Sequence, residues 1–230
     1  MILNIKVKTL VYLQKHLRPK GVAGFLDQLH AEPRILDVGC GNNSPLRLKT
    51  CRPDCSYVGI DVENHNQDGI SLAIADEYVL SKPEDFLLHL STYRNEFDAV
   101  ISSHNLEHCY EPESVLKAMT VALKPNGSIY LAFPCEESVK FPSRMGTLNF
   151  YDDTTHHQVP SFSRVLKCLR EENFEIVFSR KRYRPFVLSL IGLALEPLSI
   201  LTGRTMPLSA TWALWGFESV IWAKKRCKLI

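Results

Sequence analysis

The sequence predicts an α/β domain: a seven-stranded, mostly parallel, doubly wound sheet with an antiparallel last strand and an apolar helical insertion before it. Three observations predict it. Ile35-Leu36-Asp37-Val38 is an apolar run that passes straight into Gly39-Cys40-Gly41 and then Ser44-Pro45, a strand, a tight turn and a helix start. A second apolar run, Tyr57-Val58-Gly59-Ile60-Asp61, ends in a carboxylate about twenty residues on. Amphipathic helical spacings and apolar runs then alternate along the rest of the chain.

With 230 residues, the chain is long enough for one α/β domain with a sizeable core. Hydrophobic content of 45% and charged content of 23% are ordinary for a globular protein. A net charge of +2 gives no general pull toward nucleic acid. Cys40, Cys51, Cys55, Cys109, Cys135, Cys168 and Cys227 are odd in number and scattered, which argues against a disulfide framework and for reduced thiols. Cys51 and Cys55 have no second pair at zinc-like spacing. Met1–Lys8 lacks the long apolar core of a secretion signal, so a cytoplasmic location is expected.

Residues 1–29 read as an N-terminal helical segment, with leucines at three- and four-residue steps broken by Pro19-Lys20-Gly21. The domain proper runs over 30–226. Ile35–Val38 is the first strand, and Gly39 and Gly41 let a ligand approach the backbone. Ser44 reads as the cap of the next helix, with Pro45 at its first position. The third strand is assigned to Ile70–Asp76, and a helix with acids in its first turn starts at Pro83. Phe97–Ser102 is the fourth strand, Pro112–Leu123 an amphipathic helix, and Pro125-Asn126-Gly127 a turn into a fifth strand, Ser128–Phe133. The loop 134–160 is long and polar, with acid–base groups at its centre. Ser161 opens another helix, Phe174–Phe178 is the sixth strand, and Phe217–Ala223 reads as an antiparallel edge strand.

Ile35–Gly41, Tyr57–Asp61, Phe97–Ser102, Leu106-Glu107-His108 and Leu123–Leu131 occur in an order and spacing that resemble the class I, Rossmann-like S-adenosylmethionine-dependent methyltransferases. The resemblance covers residues 30–180 and the last strand. Asn42-Asn43-Ser44 departs from it, since many members carry more glycine there. It implies S-adenosylmethionine as cofactor, held by Asp37, Gly39, Cys40, Gly41, Asp61, Asp76 and Ser103. Asp61 takes the ribose, Asp37 orients the turn or the cofactor's ammonium, and Asp76 lies where the family often keeps an acid near the adenine. A third glycine in place of Ser44 would have favoured a nicotinamide dinucleotide instead.

A hydroxyl acceptor must lose its proton as the new bond forms, so a base is needed. His104, just beyond the fourth strand, is the first candidate because histidine titrates near neutrality. His156 and His157 come next, with Asp152 or Asp153 as orienting partner; His108 reads as a packing residue beside Glu107. Adjacency alone does not make these groups a metal centre, and none is expected. The loop around Leu148–Asp153 resembles, more loosely, small methyltransferases of bacterial surface-glycan pathways. That implies a sugar or lipid-linked glycan acceptor. A soluble small-molecule methyltransferase and a non-catalytic cofactor-binding relative are the alternatives. Nucleic acid is not expected, since no Asn/Asp-Pro-Pro-aromatic signature follows the fourth strand. The insertion 185–215 begins with an apolar run, Phe186–Leu195, closed by Glu196-Pro197 and preceded by Arg180-Lys181-Arg182-Tyr183-Arg184. It is too short to span a bilayer. Residues 180–201 therefore read as a peripheral contact at the inner face of the membrane, a pocket lid or a homodimer contact.

Overall fold

The computed structural model describes residues 9, 12–13 and 15–227. The sheet has seven strands in the order β3-β2-β1-β4-β5-β7-β6: β1 Arg34–Val38, β2 Ser56–Asp61, β3 Glu77–Leu80, β4 Phe97–Ser103, β5 Leu123–Pro134, β6 Phe174–Arg180 and β7 Glu218–Lys225. Strands β1 to β5 pair parallel, and β7 runs antiparallel to both β5 and β6. The predicted fold class therefore stands. The described helices include α1 Val22–Leu26, α2 Ser44–Cys51, α3 Gly69–Ile74, α4 Phe86–Leu90, α5 Pro112–Ala122, α6 Phe162–Glu171, α7 Phe186–Thr202 and α8 Ala210–Trp215.

Alternation along the strands sends side chains to two cores. Leu36, Val38, Val58, Ile60, Val100, Ile129 and Leu131 meet Leu116 and Met119 of α5 and Leu169 of α6 on one face. Ile35, Tyr57, Ala99, Ile101, Tyr130 and Trp222 meet Phe25 and Leu26 on the other. Burial on both faces is what the near-continuous apolar runs of a parallel sheet require.

Four local expectations are corrected. Residues 69–74 form helix α3, capped by Asp68, whose Oδ1 accepts the Ser71 N–H at 2.7 Å. The third strand is Glu77–Leu80, just after it. Ser44 is the first helical residue of α2 rather than its cap; Asn43 holds the cap position in the left-handed region, φ 55°. Strand β7 lies inside the sheet, with Val220, Ile221, Trp222 and Ala223 all buried, and β6 forms the edge. Finally, Pro197 does not end α7, which continues to Thr202.

The insertion is a helical hairpin folded against the long loop. Arg144 makes a two-pronged pair with Glu196 at 2.9 and 2.7 Å and donates to Ser199 Oγ at 2.6 Å. Trp212 Nε1 donates to the Thr147 carbonyl at 2.6 Å. Within the hairpin, Gly192 of α7 lies against α8 so closely that a Cβ would stand 2.2 Å from the Ala210 carbonyl oxygen. Gly192→Ala is therefore expected to force the helices apart, lowering stability by about 1–3 kcal/mol as other overpacked sites do. A thermal melt followed by circular dichroism reads it, and an unchanged midpoint contradicts the contact.

Candidate active site

The carboxyl ends of β1, β2 and β4 converge, as the crevice of a doubly wound sheet requires. Gly39 takes φ +75°, and its N–H donates to the Ile60 carbonyl at 2.9 Å, which bends the chain off β1 beside the end of β2. A Cβ there would stand 2.5 Å from the Asn105 side chain, so only glycine lets the loops after β1 and β4 approach this closely. Asp61 closes β2 with its carboxylate accepting the Val62 N–H at 2.7 Å. A carboxylate has acceptor capacity beyond such bonds, as a ribose diol needs.

Asp37 is fully enclosed. Its Oδ2 accepts from Ser44 Oγ at 2.5 Å and Tyr57 Oη at 2.8 Å. Burial raises its pKa to about 6, against those two hydrogen bonds. The residue thus fastens the turn to α2 and β2. The Cys40 thiol is buried and pushed up by desolvation, so it stays protonated; the Cys40 carbonyl accepts from Gln67. Gly41 backs onto His65, and Ser103 ends β4, half-buried and paired with Ala132. Asp37, Gly39, Cys40, Gly41, Asp61 and Ser103 are therefore brought to one end of the sheet. Asp76 is not. It precedes β3, at the amino end, where it accepts the Tyr57 N–H at 2.6 Å and pairs with Lys49 at 2.5 Å. Burial works against its charge, but Lys49 and that N–H hold its carboxyl below the usual range. It anchors strand to helix, a sheet's length from the crevice.

Beyond β4, His104 sits at φ 55° with its N–H on the Ala132 carbonyl. Its Nδ1 faces Glu107 Oε1 at 3.0 Å and its Nε2 faces Glu218 Oε1 at 2.9 Å. Arg18 pairs with the other oxygen of Glu218. Burial opposes a charged imidazole, but the hydrogen bonds and charges of the two glutamates prevail and push its pKa up to about 10. Both ring nitrogens are then donors. That arrangement favours the imidazolium and stands against the general-base expectation for His104, since a cation with no lone pair takes no proton. The ring lies 5.0 Å from Trp212 of α8 and stacks on Phe217, so the hairpin roofs this end of the crevice.

Asp152 is likewise a structural clasp. Its Oδ2 accepts the N–H groups of Arg144, Leu148 and Asn149 at 3.0, 3.0 and 2.8 Å, and Oδ1 accepts from Ser143 at 2.5 Å. Burial works against the charge, and these bonds, Arg144 foremost, hold the carboxyl below its usual range. His156 is enclosed, its side chain 4% exposed, and its Nδ1 donates to the Phe150 carbonyl at 2.7 Å. His157 is exposed and stacks on Tyr110. Sequence reasoning missed Arg18 and Glu218 and gave Glu107 no catalytic or binding role. Only the position of Glu218 at the start of a strand hinted that a carboxylate there would be buried.

A methyltransferase-domain family profile matches residues 12–178. The chain belongs to the methyltransferase-domain family. S-adenosylmethionine is the cofactor this membership implies, and the left-handed Gly39 turn beside Asp61 fits it. The ubiquinone biosynthesis O-methyltransferase of Escherichia coli is 27% identical over 104 residues, 43% of this chain and 42% of that protein. Its Haemophilus ducreyi namesake is 30% identical over 105 residues, 43% and 44%. The match thus spans less than half the length of these curated relatives. Among solved structures, the complex of the Haloferax volcanii Trm112 methyltransferase activator with a methyltransferase superposes with a TM-score of 0.62 at 13% identity, over 94% of both chains. An S-adenosylmethionine-dependent methyltransferase from Archaeoglobus fulgidus gives 0.53 at 19%, over 93% and 98%. At such identities the likeness shows the fold. None of these relatives is named for a surface-glycan pathway, so the glycan acceptor finds no support among them.

Proposed function

We propose that this chain is an S-adenosylmethionine-dependent O-methyltransferase acting on an amphipathic, membrane-carried acceptor. The bound cofactor supplies an electrophilic sulfonium methyl; the protein supplies alignment and a dry pocket. Backbone at Gly39–Gly41 cradles the cofactor's amino-acid end, and Asp61 takes the ribose hydroxyls. The acceptor enters under the Trp212 roof, beside the His104 cation.

The observation that carries the acceptor class is the outer face of α7. Phe186, Val187, Leu190, Leu193, Leu198, Ile200 and Leu201 are 49–84% exposed and form a continuous stripe. Glu196, the helix's one charged residue, points inward onto Arg144. Arg180 and Arg184 are exposed just before the helix. An apolar face with a basic rim is the pattern of an interfacial helix, where apolar burial and attraction to anionic head groups add. Among the described residues no helix is long and apolar enough to cross a membrane. The relatives' name places an O-methylation in ubiquinone biosynthesis, which supports a hydroxyl acceptor.

Flotation with anionic liposomes at two salt concentrations tests the surface. Binding is expected at low salt and should weaken at high salt, because each basic residue near such a surface contributes about 1 kcal/mol, screened by salt. Neutralising Arg180, Lys181, Arg182 and Arg184 should weaken it further. No binding at low salt, with a dimer detected by light scattering, would assign the stripe to a second copy instead.

A further inference from the structure

The loop after β4 and the loop at 150–158 are laced together. The His157 N–H donates to the Glu107 carbonyl at 2.8 Å, and the His108 ring meets Thr155 Oγ1 at 3.0 Å and the Thr155 carbonyl at 3.2 Å. That lacing brings one carboxylate oxygen of Glu107 and one ring nitrogen each of His108 and His156 within 4.8 Å of one another.

Glu107 is 0% exposed. Its Oε1 serves His104, but its Oε2 is buried with no hydrogen-bond partner. A buried carboxylate oxygen left unpaired costs one to several kcal/mol, so it points to a ligand. The two imidazoles are oriented for the same purpose. His156 Nδ1 and His108 Nδ1 both face backbone carbonyls, which only accept, so each Nδ1 carries the proton and each Nε2 keeps its lone pair. A ring N–H held by a carbonyl is the support a metal-binding histidine has.

We propose that Glu107, His108 and His156 form a binding site for a divalent first-row transition metal. Two imidazoles and one carboxylate suit such ions better than magnesium or calcium, which favour oxygen. Metal–ligand bonds of about 2.1 Å set neighbouring donors about 3.0–3.4 Å apart, so a small ring rotation closes the set. Three protein ligands leave coordination positions open. Where the methyltransferase reading holds, on which this step rests, an acceptor hydroxyl occupies one of them. Its proton then leaves to solvent more readily, because the cation stabilises the oxyanion.

The site is read without cofactor or acceptor. Metal-free full-length protein is titrated with Co²⁺, following its visible absorption and the heat of binding, and Zn²⁺ is then added in competition. One equivalent should bind, with Zn²⁺ displacing it. His156→Ala and His108→Ala should each weaken Co²⁺ binding at least tenfold while circular dichroism stays native. Asp61→Ala, which should weaken S-adenosylmethionine binding, should keep Co²⁺. If the folded protein takes up neither ion, the site is refuted; so it is if both histidine variants bind as the native chain does, which would place the ion elsewhere. If Co²⁺ binds as described and no methyl transfer is found, the metal site stands and the functional reading falls.

Discussion

Gly39→Ala should weaken S-adenosylmethionine binding more than tenfold, at least about 1.4 kcal/mol. Two effects add. At φ +75° an alanine bears the strain of the left-handed region, about 1–2 kcal/mol. Its Cβ would also stand 2.5 Å from Cβ and 2.6 Å from Cγ and Oδ1 of Asn105. The 104–108 segment must then move, and with it the floor of the crevice. Asp61→Ala removes the ribose acceptor without touching the turn, and should give a comparable loss. Calorimetric titration of both variants measures it. Unchanged affinity in both would remove the cofactor from this crevice, whatever the fold.

The parts of the site that were legible in the sequence are local. Asp37, Gly39 and Asp61 sit at strand ends marked by apolar runs and glycine, so their convergence follows from the doubly wound topology alone. The third strand was misplaced because Ile70–Ile74 is the more apolar stretch, whereas Glu77–Leu80 is a four-residue edge strand with no buried side chain. Asp68, three residues before Ser71, caps the helix that occupies Gly69–Ile74 instead. Asp76 followed that error to the wrong end of the sheet. Long-range partners had no local signature. Glu218 lies 114 residues from His104, and nothing in His104-Asn105-Leu106-Glu107 announces that both ring nitrogens are taken. The same holds for Gly192, whose role is set by Ala210 across a helix pair.

Replacing His104 should cost more than any other single change at the acceptor end, and the cost should depend on pH. Arg18, Glu218, His104 and Glu107 alternate in charge through the interior. His104→Ala leaves Glu107 and Glu218 with one cation between them, and breaking a buried pair in this way costs about 3–5 kcal/mol. The imidazole's pKa is raised from 6.5 to about 10 in the fold, so its stabilisation is fully present below pH 6.5 and is lost as pH rises through 10. Glu218 has the opposite sign. Burial opposes its charge, but Arg18 and His104 depress its pKa to about 2, so its contribution is present above pH 4.5 and fades as pH falls through 2. Asp37, raised to about 6, withdraws its share between pH 3.8 and 6 and adds no slope above that. Between pH 6.5 and about 8, below the range where the buried cysteine thiols begin to favour the unfolded chain, a decline in unfolding free energy therefore reports His104, and His104→Gln should flatten it. Urea unfolding at intervals across that window reads both chains. A native curve that is flat there would mean the imidazole is neutral in the fold and restore it as a base; turnover should then rise through an acid limb near pH 6.5 that the variant lacks.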